Sequence, residues 1–185
     1  MLKNILLSFL ITFSLSIKSY SYVPVGIEND VAFDTVINTW GWEVVYRGFY
    51  SESNVSPNVY LNGIQGDDYV MLAGLNNSTM TFDVLAATTL EHLTTVTSQH
   101  QTNENNGALW YYNNQSIGFA GIGDVIYQNT ADVNGSSERD RLSWHTENAT
   151  FSLDAGWRSG SNTGINDSND FDRVVLKYSP SNLTF

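Results

Sequence analysis

Tyr69-Val70-Met71-Leu72-Ala73-Gly74-Leu75 and Met80-Thr81-Phe82-Asp83-Val84, separated by the polar residues 76–79, are the stretch from which the fold reads. The first run is apolar throughout, the pattern of a central strand covered on both faces. The second alternates. Met80, Phe82 and Val84 should share one face, with Thr81 and Asp83 opposite, because side chains along a strand change sides at every residue. The same alternation recurs in Phe151-Ser152-Leu153-Asp154-Ala155-Gly156-Trp157 and in Arg173-Val174-Val175-Leu176-Lys177-Tyr178. Working outward, further short apolar runs predict strands at 42–50, 59–61, 92–97, 109–112, 117–120, 125–128 and 141–145. Residues 30–37 suit either a short helix or a strand. Clusters of Asn, Gly, Ser and Asp punctuate these runs, and long amphipathic helical patterns are absent. The expectation is an all-β, single-domain antiparallel β-sandwich of jelly-roll or lectin-like type, in which 42–50 and 171–178 pair with each other.

Residues 1–21 read as a secretory signal peptide, with Lys3 as the basic end, Ile5 to Ile17 as the apolar segment and Ser19-Tyr20-Ser21 as small residues for cleavage. The apolar segment is too short to span a bilayer, which takes roughly 20 residues. Residues 22–185 then form one domain with a frayed tail from Ser179 onward, secreted or held in a periplasm or at a cell surface. The chain has 19 acidic residues against 8 lysines and arginines, a formal charge of −11. Removal of Lys3 and Lys18 makes the remainder more acidic still. Such a surface repels phosphate backbones, which excludes nucleic acid as a partner. With no cysteine, the fold uses neither disulfides nor thiol chemistry.

Two segments hold the side chains of greatest chemical interest. In Arg139-Asp140-Arg141-Leu142-Ser143-Trp144-His145-Thr146, Leu142 and Trp144 point one way, and Arg141, Ser143 and His145 the other. Ser143 and His145 lie about 6.5–7 Å apart on a strand, too far for a nucleophile–base hydrogen bond. In Gly156-Trp157-Arg158 and the polar loop after it, alternation turns Trp157 inward and Arg158 outward. Aromatic faces beside Arg, Asn and Asp are what sugar sites use, since pyranose CH faces stack on rings while fixed polar groups meet hydroxyls. The candidate ligand-binding residues are therefore Trp110, Tyr111, Trp144, His145, Arg158, Asn162 and Asn166. For the aromatics, the competing explanation is a place in the core.

The loop Asp167-Ser168-Asn169-Asp170-Phe171-Asp172 suggests calcium, with Asp167, Asp170 and Asp172 as oxygen ligands, although the glycine and terminal glutamate of an EF-hand are missing. His92, His100 and His145 lack zinc-site spacing, and no Gly-x-Ser-x-Gly elbow, Rossmann fingerprint or P-loop occurs. The leading expectation is a secreted carbohydrate-binding or adhesive module without catalysis, whose partner is a carbohydrate or other extracellular ligand. The rivals are an envelope or extracellular structural protein and an exported polysaccharide hydrolase. The hydrolase needs two facing carboxylates, and Glu43, Glu91, Glu138 and Glu147 qualify by type alone.

Overall fold

In the computed structural model, the opening stretch folds as β3 (Tyr69–Asn76) paired antiparallel with β4 (Thr81–Thr89). The structure describes residues 21–53, 55–113, 116–127, 132, 138–146 and 155–180; residues 1–20 of the expected signal peptide, the run 151–154 and the tail 181–185 lie outside them. With β1 (Ile27–Ala32), β2 (Glu43–Phe49) and β11 (Phe171–Tyr178), the pair makes a five-stranded sheet in the order β1-β4-β3-β11-β2. The expected pairing of early and late segments is present, with Asp172 opposite Phe49 and Lys177 opposite Glu43. As its composition requires, β3 is covered twice. Val70 and Leu72 enter the core between the sheets, while Met71, Ala73 and Leu75 pack under Val36, Trp42 and their neighbours on the other side.

The second sheet contains β5 (Asn103–Asn105), β6 (Ala108–Tyr112), β7 (Ser116–Ala120), β8 (Leu142–His145), β9 (Gly156–Ser159) and β10 (Asn162–Thr163) in the order β10-β9-β8-β7-β6-β5. Trp110, Ile117, Phe119, Leu142 and Trp144 face the first sheet and complete the sandwich core. This sheet is a plain meander. The finer jelly-roll expectation finds no support in such a strand order, because a jelly roll keeps crossing between its sheets.

Several local expectations are corrected. Residues 59–61 end α1 (Pro57–Tyr60), where the Ser56 hydroxyl accepts from the Asn58 amide and proline occupies the first turn. Residues 92–97 begin inside α2 (Leu90–Thr94), capped by Thr89. Residues 125–127 form no strand. Residues 30–37 divide between β1 and a π-helical turn (Thr35–Thr39).

Met80, Phe82 and Val84 do not share a face. The register with β3 shifts by one at Asp83, a β-bulge that sends Phe82 to the outer layer and Val84 to the inner core, and Met80 is a turn residue 41% exposed. Val174, Leu176 and Tyr178 do share the outer layer. Arg173, expected on a wet face opposite them, is fully buried, flanked in register by Gly48 and Gly74.

Candidate functional site

The side chains singled out from the sequence divide between core, clamp and cleft. Trp110 and Trp144 are core residues and cannot stack on a ligand. The indole N–H of Trp110 donates to the Asn105 carbonyl (3.1 Å) and that of Trp144 to the Tyr50 hydroxyl (2.9 Å). Tyr111, Gly118, Ser143 and Arg158 lie opposite one another across four strands, on the face turned away from that core. The alternation of 141–145 is thus as read, but this face is buried rather than polar and wet. Gly118 leaves room for the Tyr111 hydroxyl to pass over it and donate to Ser143 Oγ (2.8 Å). Ser143 and His145 are both buried, which removes them as solvent-facing ligand or nucleophile groups.

Arg141 fills this covered face. It donates to Asp132 (2.9 Å), Asp124 (3.1 Å) and the Val125 carbonyl (3.3 Å), and pairs with Glu138. Burial pushes the Asp132 carboxyl up to about 6, against the pull of Arg141 and Arg158.

Trp157 is half-buried at a register shift between β8 and β9 and belongs to none of the apolar clusters. Arg158 leaves the central core, as alternation predicts, yet is 0% exposed and cannot meet a ligand. Its Nε donates to the Gly160 carbonyl and one terminal nitrogen to the Glu138 carbonyl, both at 2.8 Å. Asn166 is half-buried, and its amide atoms have no hydrogen-bond partner among the described residues.

Asp167, Asp170 and Asp172 are not gathered into one cluster. Asp167 and Asp170 are exposed, whereas Asp172 is buried against other partners. Among the described residues, no group of three or more His, Asp or Glu side chains has metal-binding geometry.

Among the described residues, two open clefts stand out. The larger, about 460 Å³, is lined by Arg47, Gly48, Phe49, Glu52, Asn77, Asn169 and Asp172. Asp172 of β11 stands opposite Phe49 of β2, and Val174 opposite Arg47, so strand pairing brings Arg47, Phe49 and Asp172 to one face. Arg47 Nε donates to Asp172 (2.5 Å) and its terminal nitrogen to Asn77 Oδ1 (3.0 Å), while Asn77 Nδ2 donates to Asp172 (2.9 Å). This closed ring holds a cation, a carboxylate and an amide in place before any ligand arrives.

Asn169 is steadied by the Ser51 hydroxyl (2.5 Å) and Glu52 by the Tyr46 hydroxyl (3.2 Å). Burial, opposed by Arg173 and reinforced by Glu52, raises that Tyr46 hydroxyl to about 12. Beneath the cleft, Arg173 donates to the carbonyls of Phe49 (3.2 Å) and Glu52 (2.5 Å) and pins the turn that presents them. A Cβ at Gly48 would displace the Glu52 carboxylate and the Tyr46 hydroxyl from these positions. Phe49, 44% exposed, lines the same cleft.

The second cleft, about 300 Å³, is lined by Asp30, Asp83, Arg139, Gly160, Ser161 and Asn162. Asn162 Nδ2 donates to Asp83 (3.0 Å), and Arg139 pairs with Asp30, which has a positive φ of 56°. Burial raises the Asp83 carboxyl above its ordinary value and the charge of Asp30 adds to it, while the Asn162 hydrogen bond opposes both.

Of the sequence candidates, Asn162 and Asp172 line these two clefts. Arg47, Phe49, Glu52, Asn77 and Asn169 carried no local signal, since each belongs to an ordinary strand or loop until strand pairing assembles them. Compared with protein-family models, curated proteins and solved structures, the chain matches none of them, so its function is argued from the chemistry of these two clefts.

Proposed function

We propose that the protein is an exported, non-catalytic carbohydrate-binding module whose ligand lies in the Phe49 cleft. The observation that carries this reading is the half-exposed Phe49 ring beside the fixed Arg47–Asp172–Asn77 ring. A pyranose presents a flat CH face and a rim of hydroxyls. The first suits an aromatic face, and the second suits planar side chains held rigid in advance. The carboxylates already have partners, Asp172 in Arg47 and Asn77, and Glu52 in Tyr46. That favours a binding site over a general acid–base pair.

The sheet edges favour binding over assembly. β1 carries a positive-φ residue at Asp30, β2 a register shift against β11, and β5 and β10 span three and two residues. Short, bulged edges discourage pairing with another chain.

Calorimetric titration of the protein with neutral glycans tests the reading. At least one glycan should bind. Phe49→Ala and Asn169→Ala, at exposed positions, should each weaken it ~10-fold or more, the scale of a lost stacking or hydrogen-bonding contact. Full affinity in both variants, with unfolding midpoints unchanged, would remove the cleft from consideration.

A further inference from the structure

We infer that the preferred ligand of the Phe49 cleft is a glycan bearing a free amine, whose ammonium the Glu52 carboxylate receives while the sugar ring packs against Phe49. This rests on the carbohydrate reading above and narrows it to amino sugars. The charged residues that line the cleft are Arg47, Glu52 and Asp172, and they differ in how fully each is already engaged.

Arg47 is held three times over. Its Nε pairs with Asp172 at 2.5 Å, a terminal nitrogen donates to Asn77 Oδ1, and its guanidinium carbon lies 5.8 Å from the centre of the Phe33 ring. Asp172 accepts from both Arg47 and Asn77, and its side chain is 5% exposed. This cation and this carboxylate offset each other. Glu52 is different. It is exposed, and among the described residues its carboxylate accepts one hydrogen bond, from the Tyr46 hydroxyl, and forms no ion pair. An ionised carboxylate has about four acceptor sites, so most of its capacity is open. The fully buried Arg173 donates to the backbone carbonyls of Phe49 and Glu52 and does not pair with the Glu52 carboxylate. The cleft therefore presents one open negative charge.

That charge sits beside the aromatic ring by construction. The Glu52 amide donates to the Phe49 carbonyl (3.1 Å), so residues 49–52 close a single turn. The Cα atoms at the two ends of such a turn lie less than about 7 Å apart, a separation that one sugar unit bridges. An ammonium at the rim of the sugar gains the carboxylate as acceptor and the neighbouring aromatic face as a second source of attraction. Asn169, also exposed, accepts from the Ser51 hydroxyl through its amide oxygen, which leaves its N–H groups to a sugar hydroxyl. The rest of the chain works in the same direction: 19 acidic residues against 8 lysines and arginines draw in a cationic glycan and repel a uronate. Calcium is not served by this arrangement, because it takes about six to eight oxygen ligands and the cleft offers one open carboxylate.

The test uses matched oligosaccharides that differ in charge alone. Dissociation constants are measured at pH 6 and low salt for β-1,4-linked glucosamine oligomers of about two to six units, for their N-acetylated counterparts and for cello-oligosaccharides of equal length. The amine form should bind ~5-fold or more tighter than either neutral form, the scale of one partly exposed charged hydrogen bond. Glu52→Gln, at an exposed position, should bring the amine and neutral forms to equal affinity, with the unfolding midpoint checking that the variant is folded. Equal binding of all three series to the parent, or tighter binding of a neutral one, overturns the amino-sugar inference and leaves the carbohydrate reading standing. A preference for the amine that survives Glu52→Gln in folded protein also overturns it, since the general acidity of the chain then accounts for the attraction. Absence of binding to every glycan overturns the carbohydrate reading and this inference together.

Discussion

Asp132→Asn probes the covered face of the second sheet. Asp132 is fully buried and paired with Arg141 at 2.9 Å. Among the described residues, the groups that act on it are Arg141 just before β8, Arg158 of β9, Tyr111 of β6, Asp124 and the Tyr127 backbone. Burial outweighs the two arginines and raises the carboxyl from 3.8 to about 6 in the fold. Between those values the folded protein holds a proton that the unfolded chain has released, so stability falls as pH rises through this window and levels off above it. At ~1.4 kcal/mol per pH unit the interval amounts to roughly 3 kcal/mol. Asparagine keeps the shape of the side chain and carries no titrating proton, and Arg141 retains Asp124 and Glu138 as partners.

Urea unfolding followed by tryptophan fluorescence from pH 4 to pH 8, on parent and variant together, isolates this contribution. Asp83, whose carboxyl is also raised, acts in the same direction in both proteins and drops out of the difference. The parent should lose stability relative to Asp132→Asn from pH 4 to 6, and the variant should be at least as stable at pH 7. A parent that gains on the variant over that window would show that the Arg141 ion pair outweighs burial, and the reasoning would fail.

Gly118→Ala should destabilise the protein by roughly 2–4 kcal/mol, because its Cβ would run into the Leu142 carbonyl and the Tyr111 hydroxyl; denaturant midpoints check this, and a change within about 0.5 kcal/mol would refute it. Trp144→Phe loses the hydrogen bond to Tyr50 and should cost about 1–3 kcal/mol with glycan affinity unchanged. In the double-mutant cycle, Tyr50→Phe should then cost less than it does alone. Asp172→Asn weakens the pair with Arg47, in which the carboxylate side chain is 5% exposed, and should cost roughly 1–3 kcal/mol and loosen the Phe49 cleft. Calcium should leave the parent's midpoint unchanged, since Arg47 and Asn77 occupy the Asp172 carboxylate; a calcium-dependent rise would return this loop to metal binding.

The class of fold was legible because burial and side-chain period act locally. Unbroken apolarity in 69–75 means two covered faces, and alternation at Val174, Leu176 and Tyr178 means one shared layer; both are present. What alternation could not convey is where a single extra residue enters a strand. The bulge at Asp83 and the register shift beside Trp157 arise from pairing with strands elsewhere in the chain; the first parts Phe82 from Val84, and the second leaves Trp157 outside the apolar clusters.

Exposure was equally hidden. Arg141, Ser143 and Arg158 face away from the sandwich core as the pattern says, but this face is covered: Asp132 pairs with Arg141, and Ile126 packs with Tyr111 and Ala120. The clefts are wholly tertiary. Arg47 and Asp172, 125 positions apart, meet only because β2 and β11 are neighbours. By itself the sequence determined the sandwich, its acidity and the absence of cysteine. The tertiary structure alone decided which arginines are clamps, which aromatics are core and which residues face a ligand, because those properties depend on contacts between distant strands and not on the identity of near neighbours.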